Sequence, residues 1–104
     1  MTTYAVPTSK MKDWLGNDAI IATDEGEAIA LACGHYLATG EVATVAMGEN
    51  GLLNALDAII TLSQLHEIPI QLFLFPREDE PQHAMVTGKL GELLDLFQIK
   101  AEIK

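Results

Sequence analysis

Glu25 is the residue of this sequence whose position most clearly suggests chemistry. It follows an apolar run at residues 19–22 and stands directly after Asp24, which can cap a helix, with Glu27 three residues after the cap in a capping-box arrangement. Glu25 therefore marks a junction between a strand and a helix. Its carboxylate either complements the positive end of that helix, which is worth about 0.3–1 kcal/mol, or it belongs to a functional site.

A second set of candidate residues lies between residues 76 and 83. Arg77 is the only arginine of the chain, and a guanidinium can bind a carboxylate, sulfonate or phosphonate through two parallel hydrogen bonds. The alternative is a solvated ion pair with the three acidic residues that follow it. His83 can donate or accept a proton in catalysis, or it can cap the next helix. Gln82 is a further candidate ligand.

Apolar and amphipathic segments alternate along the chain and predict the elements that carry these residues. Continuous or alternating apolar runs indicate strands, and apolar residues at steps of three and four indicate helices. The predicted strands cover residues 2–6, 19–22, 42–47, 68–75 and 99–103, and the predicted helices cover residues 9–15, 24–40, 52–65 and 84–97. The helix that carries Glu25 is almost entirely small or apolar from residue 28 to residue 38, so we expect it to be buried on most sides.

The spacing of these elements predicts the fold class. Strands that recur about every 25 residues with helices between them are typical of βα units joined by right-handed crossovers. The sequence therefore predicts one α/β domain over residues 1–104, with three layers and a mostly parallel sheet. Ligands of such folds collect at the carboxyl ends of the strands. Glu25, the turn at residues 48–51 and the loop at residues 76–83 all follow predicted strands, so we expect them at one edge.

Composition excludes several classes of protein. The net charge is −9, with five lysines and one arginine, whereas a nucleic-acid surface needs clustered positive side chains. No apolar run approaches the roughly 18 residues of a membrane span, so we expect no membrane association. Residues 1–10 lack the apolar core of a signal peptide, and we expect a cytoplasmic protein. The single cysteine, Cys33, cannot form an intrachain disulfide, and no histidine and cysteine cluster has metal-ligand spacing.

Several of these segments, taken together, resemble a known family. Glu25, Ala28, Gly34 and residues 36–40 resemble the glutamate-bearing helix of the pyrimidine-binding domain in thiamine-diphosphate enzymes. Residues 51–54, 68–70 and 79–83 resemble the narrower group of phosphonopyruvate and sulfopyruvate decarboxylases. The motifs occur in the family's order, and the resemblance covers about residues 4–103.

The resemblance implies a site for thiamine diphosphate. In that family a glutamate hydrogen-bonds a ring nitrogen of the aminopyrimidine and promotes its imino tautomer, and Glu25 occupies the matching position. Gly51 and Asn54 match the turn that lies near the aminopyrimidine in the family, and Asn50, directly before Gly51, is a further candidate for binding the cofactor. Turn and helix-start chemistry alone also explains these residue types, so both interpretations are open.

The substrate and the partner chain follow from the same resemblance. The substrate is a small 2-oxo acid, for which the candidate residues are Arg77, Gln82 and His83, the last as a proton donor or acceptor. The family holds the diphosphate and its Mg²⁺ on a second domain with a Gly-Asp-Gly motif, and nothing in this chain matches that motif. We therefore expect a separate diphosphate-binding subunit, an active site at the interface between the two chains, and a homo-oligomeric assembly.

The chain also departs from the family pattern. Gly48, Glu49 and Asn50 replace the family's Gln-Asn-Ser, Leu53 replaces a glycine, and a helix before the family's first strand has no counterpart. Glu49 is expected to be an unfavourable neighbour for an anionic substrate, and the missing helix is expected to leave apolar sheet surface uncovered. These departures favour an alternative, a catalytically inactive relative of the pyrimidine domain that acts as a ligand-binding or assembly module.

Overall fold

Five parallel strands form one sheet in the computed structural model, which describes residues 1–77 and 81–104. The strands are β1 (Thr3–Ala5), β2 (Ile20–Ile21), β3 (Thr44–Gly48), β4 (Gln71–Phe75) and β5 (Glu102–Ile103), in the spatial order β2-β1-β3-β4-β5. The central strand β3 pairs on both sides, so Val45 lies opposite both Tyr4 and Leu72. The predicted α/β class is confirmed, and every strand pair in the described residues is parallel.

Three α-helices connect the strands in the described part of the chain. They are α1 (Glu25–Thr39), α2 (Leu52–Ala58), which continues as a π-helix at Ile59–Gln64, and α3 (Ala84–Leu96), and the 3₁₀-helices are Ser9–Met11, Glu49–Gly51 and Pro81–His83. Local chemistry sets the ends of α1. The Asp24 carboxylate accepts a hydrogen bond from the Glu27 amide at 2.9 Å, and Gly40 ends the helix with a left-handed φ of 77°. Across residues 1–77 and 81–104, no helix is both long and apolar enough to cross a membrane.

The three α-helices pack on one face of the sheet. Alternate residues of a strand point to opposite faces, and in β3 the side chains of Val45 and Met47 point to the helices, where both are fully buried. Ile29 of α1, Leu52 of α2 and Leu90 of α3 belong to the same core. Since Leu52 opens α2 and is fully buried, this core holds the start of α2 beside the end of β3.

Residues 9–15 cover the opposite face of the sheet. Met11 is 1% exposed, and the Trp14 ring packs edge to face on Phe73 and Phe75 with centroid distances of 5.2 Å to each. Phe73 and Phe75 are only 8% and 4% exposed, so this part of the face is covered. Ile21 of β2 lies on the same face, because it pairs with Ala5, and it is 57% exposed. The predicted uncovered apolar sheet surface therefore occurs at the β2 edge and not over β4. The fold has three layers, and the third is this short segment instead of a row of helices.

Strand order explains why residues 9–15 and α1 lie on opposite faces. From β1 the chain moves in one direction to β2, and from β2 it returns past β1 to β3. Right-handed crossovers that run in opposite directions cover opposite faces of a sheet. The reversal creates a topological switch point between the carboxyl ends of β1 and β3, the position at which open α/β sheets bind ligands.

The outer face of α1 is exposed, and the prediction that this helix is buried on most sides is wrong. Its inner face is buried through Ala28, Ile29, Ala32 and Cys33. On the outer face Leu37 is 72% exposed. The prediction failed because the sheet and α2 contact one side of α1 only, and small apolar residues occur in either environment.

Candidate functional site

The carboxylate of Glu25 lies between the starts of α1 and α2 and contacts two other predicted site residues. The Asn54 amide donates a hydrogen bond from Nδ2 to Glu25 Oε1 at 2.8 Å. The Glu25 side chain also lies against Gly51, where an added Cβ would stand 2.6 Å from Glu25 Cγ and 2.9 Å from Oε2. Glu25, Gly51 and Asn54 thus form one group at the carboxyl edge of the sheet, which we call the Glu25 cluster.

The Glu25 cluster holds a carboxylate in a defined orientation. Glu25 is half-buried and Asn54 is exposed, so a ligand can reach the carboxylate from the side of Asn54. An ionised carboxylate offers about four acceptor positions, and the Asn54 amide occupies one of them. The cluster can therefore bind a group that donates an N–H or O–H. Any side chain at position 51 would push the carboxylate away from this arrangement.

Glu49 is a buried carboxylate beneath the same edge. It is 2% exposed, and its Oε1 accepts hydrogen bonds from the Arg77 backbone amide at 3.2 Å and from the Thr87 hydroxyl. These bonds connect the end of β3 to the chain after β4 and to α3. Because its carboxylate is buried and hydrogen-bonded, Glu49 does not present a charge to the surface of the edge. The conflict between Glu49 and an anionic substrate stays a prediction.

Asn50 and Arg77 lie on the other side of the end of β3. Strand alternation directs residue 48 toward the face that residues 9–15 cover. An added Cβ on Gly48 would lie 3.0 Å from Asn50 Oδ1 and 3.4 Å from Arg77 Nη1. The same point is 3.2 Å from the methyl carbon of Thr8. The side chain of Asn50, which the sequence grouped with Gly51 and Asn54, thus lies near Gly48 on the same side as the guanidinium of Arg77.

Thr8 is a candidate residue that the sequence analysis missed. Its hydroxyl oxygen is buried and has no hydrogen-bond partner in the described residues, as is also true of Asn50 Oδ1. Thr8 precedes the 3₁₀-helix Ser9–Met11 with the extended backbone of an N-cap, yet its side chain makes no capping bond. The available signal was a hydroxyl residue shortly after the first strand. Thr8 is a candidate because it follows β1 at the switch point. The switch point is known only from the strand order, which the sequence did not predict.

The remaining candidates lie at the start of α3. Gln82 is exposed and His83 is half-buried. The Thr87 hydroxyl donates a hydrogen bond to the His83 carbonyl at 3.3 Å. Within the described residues the His83 side chain makes no capping bond to α3, contrary to the capping alternative. Residues 78–80, which include the first part of the predicted 79–83 pattern, lie outside the described residues.

No protein-family model and no curated protein matches this chain. Among residues 1–77 and 81–104, no group of three or more histidine, cysteine or acidic side chains is placed to hold a metal ion. A function is therefore inferred from the side chains at the carboxyl edge of the sheet and from the resemblance of their motifs.

Proposed function

We propose that this chain is the pyrimidine-binding subunit of a thiamine-diphosphate-dependent 2-oxo acid decarboxylase of the phosphonopyruvate and sulfopyruvate decarboxylase type. The observation that carries the proposal is the Glu25 cluster, in which a carboxylate at a helix start is held by the Asn54 amide and by close contact with Gly51. A carboxylate that served only the helix dipole would need neither contact. The cluster also lies at the sheet edge where ligands of such folds bind.

The Glu25 cluster fits the pyrimidine half of this cofactor. An aminopyrimidine has ring and exocyclic nitrogens, and an ionised carboxylate accepts a hydrogen bond from a protonated nitrogen. Gly51 lets the chain before α2 approach Glu25 closely, and Asn54 keeps the carboxylate in one orientation. The bound cofactor supplies an electron sink for the loss of carbon dioxide. In this proposal Glu25 holds a proton at the pyrimidine ring nitrogen, and Asn54 positions Glu25.

Other chains supply the rest of the active site in this proposal. The diphosphate and its Mg²⁺ belong to a separate diphosphate-binding subunit, because no Gly-Asp-Gly motif occurs in this sequence. Arg77 and Gln82 contact the 2-oxo acid, and His83 transfers a proton during decarboxylation. We place the assembled enzyme in the cytoplasm and expect it to contain more than one copy of this chain.

A second candidate function is an assembly or ligand-binding module without catalysis. The observation that favours it is exposed apolar surface outside the Glu25 cluster. Leu37 of α1 is 72% exposed and Leu65, just after the π-helix, is 70% exposed, and contiguous exposed apolar surface marks interaction sites. Since a catalytic subunit that requires a partner also needs such a surface, turnover is the property that distinguishes the two functions.

Turnover with a diphosphate-binding chain tests the proposal. A diphosphate-binding chain with the Gly-Asp-Gly motif, sought first in the neighbouring reading frames, is mixed with this chain, Mg²⁺ and thiamine diphosphate, and carbon dioxide release is measured from a panel of 2-oxo acids. We expect release only when both chains are present. Glu25→Gln should slow release at least about 100-fold, because it removes the group that holds the proton at the ring nitrogen.

Glu27→Gln is the matched control for this experiment. Glu27 lies in the same helical turn, but its carboxylate accepts a hydrogen bond from the Thr23 amide at 2.7 Å. Turnover by the Glu27→Gln variant should therefore be close to that of the unchanged chain. Equal turnover by the Glu25→Gln variant and the unchanged chain would contradict the role of Glu25. A stable complex of both chains that releases no carbon dioxide from any 2-oxo acid would favour the assembly module.

A further inference from the structure

The outer side of α3 exposes large apolar side chains together with charges of both signs. Met85 is 76% exposed and Leu96 is 72% exposed, and Lys89 and Glu92 are exposed between them. Helical spacing places these four side chains on one side of α3, opposite the buried Leu90. We call Met85, Lys89, Glu92 and Leu96 the α3 face.

Two shallow hollows lie along the α3 face. One hollow, of about 200 Å³, is lined by Leu53, Met85, Val86, Lys89 and Leu93, and the other, of about 310 Å³, is lined by Lys89, Glu92, Leu93 and Leu96. Both are lined mainly by apolar carbon atoms. They can therefore receive apolar side chains from a helix that lies along α3.

Read from its middle toward either end of the helix, the α3 face shows first a charged residue and then an exposed apolar residue. Lys89 and Glu92 lie three residues apart at its middle, and an exposed apolar residue lies four positions beyond each of them. If a second copy of α3 lies antiparallel across a two-fold axis at the middle of the helix, Met85 lies opposite Leu96 and Lys89 lies opposite Glu92. In such an isologous contact each pair occurs twice.

We infer that the α3 face binds the α3 face of a second copy of this chain, antiparallel, in a two-fold symmetric dimer. Charge complementarity favours a second copy of the chain as the binding partner of the α3 face. Two chains of net charge −9 repel each other, whereas this arrangement brings Lys89 and Glu92 together twice and steers the approach. Asp95, the third charged residue of α3, projects a quarter turn away from the middle of the face.

Two further features allow the helices to come close and limit the strength of the contact. An added Cβ at Gly88 would meet no atom of the described residues within 4 Å, so this part of the chain leaves the helix surface beside the α3 face open. Leu53 of α2 is 55% exposed and extends the apolar surface. A contact centred on one helix of 13 residues is smaller than the roughly 1,200–2,000 Å² of a standard stable interface. We expect a reversible dimer that dissociates on dilution.

Charge reversal tests the inference through a pairing that the antiparallel arrangement predicts. In a homodimer of Lys89→Glu, glutamates face glutamates, and in a homodimer of Glu92→Lys, lysines face lysines. Each variant alone should therefore have its Kd for dimerisation raised at least about tenfold. An equimolar mixture of the two variants restores both opposite-charge pairs and should form a heterodimer. Sedimentation velocity over a concentration series measures association, and native mass spectrometry with one isotope-labelled variant identifies the heterodimer.

Lys12→Glu is the matched control for Lys89→Glu, because it makes the same change in net charge at an exposed lysine outside α3. It shows the rise in Kd that net charge alone causes, and Lys89→Glu should raise the Kd well beyond that. Circular dichroism confirms that each variant is folded. A chain that stays monomeric over the whole concentration series overturns the inference. A dimer whose Kd neither Lys89→Glu nor Glu92→Lys changes also overturns it, because copies would then meet through another surface. The inference uses no residue of the Glu25 cluster and does not depend on the proposed function.

Discussion

Replacing Gly51 by alanine tests the contact on which the Glu25 cluster depends. The new Cβ would stand 2.6 Å from Glu25 Cγ and 2.9 Å from Cδ, well inside the roughly 3.5–4.0 Å of an ordinary carbon contact. The backbone itself accepts alanine, because φ and ψ at Gly51 are −67° and −17°. The substitution therefore leaves the turn intact, moves the carboxylate of Glu25 and breaks its hydrogen bond to Asn54.

Two opposing effects set the expected change in the free energy of unfolding. Replacing a glycine whose native backbone suits alanine stabilises a protein by about 0.4–1 kcal/mol, because the unfolded chain loses freedom. A hydrogen bond to a charged group contributes about 1.5–3 kcal/mol, and the exposure of Asn54 puts this one at the lower limit. We expect Gly51→Ala to destabilise the chain by about 0.5–1 kcal/mol, and to stabilise it by about 0.4–1 kcal/mol when residue 25 is already alanine.

Urea unfolding of the four proteins in this double-mutant cycle measures the coupling, which should be about 1.5 kcal/mol. Gly91→Ala is the control, because an added Cβ there meets no atom within 4 Å in the part of the chain that the structure describes. It should stabilise the chain by about 0.5–1 kcal/mol whether residue 25 is glutamate or alanine. A coupling below about 0.5 kcal/mol between positions 25 and 51 would refute the contact, and with it the observation that carries the proposed function.

Four further predictions concern the stability of the chain and the ionisation of two side chains. Trp14→Ala should lower the free energy of unfolding in urea by about 2–3 kcal/mol, because two phenylalanine rings of β4 lose their edge-to-face partner. Thr8→Val should raise the same free energy by about 1 kcal/mol, because it removes a buried hydroxyl that has no partner in the described residues. The hydrogen bond from the His35 ring is the main cause that holds the pKa of Glu41 below its ordinary value of 4.5. The stability that this contact contributes is therefore present above pH 4.5 and lost as the pH falls through the folded-state pKa, and Glu41→Gln should flatten the pH dependence of urea unfolding in that acid range. Burial raises the pKa of the Cys33 thiol above its ordinary value of 9.0, so iodoacetamide at neutral pH should label the folded chain far more slowly than the urea-unfolded chain, as mass spectrometry can measure.

Local chemistry was sufficient to predict α1 and the class of the fold. Asp24, Glu27 and Gly40 act within one or two turns of the helix ends, so their effects do not depend on the rest of the fold. The parallel sheet follows from the alternation of strands and helices, because parallel neighbours require crossover connections. The same reasoning put Glu25 and Gly51 at one edge of the sheet, where the structure brings them into contact.

The sequence did not predict the features that depend on strand order. The position of β2 beside β1, away from β3, decides which face residues 9–15 cover, and β2 itself is only two residues long. Without that order, the packing of Trp14 on β4 and the burial of Thr8 beside Gly48 have no signal in the sequence. The exposed side of α1 was missed for a related reason. An apolar composition predicts that a helix is buried. It does not predict whether residues of the same chain or of another chain bury it.

The end of β3 divides the predicted site residues into two groups, and this division limits what one ligand can touch. Glu25 contacts Gly51 and Asn54 on the side of the helices, whereas Arg77 and Asn50 both lie near Gly48 on the face that residues 9–15 cover. The resemblance placed all of these residues in one active site, because it orders motifs along the chain and not across the sheet. A ligand held by Glu25 reaches the guanidinium of Arg77 only by crossing the end of β3. Residues 48–50, where the sequence departs from the pattern it resembles, form the end of β3 and the start of the 3₁₀-helix, and the two groups adjoin there because Asn50 and Gly51 are consecutive residues.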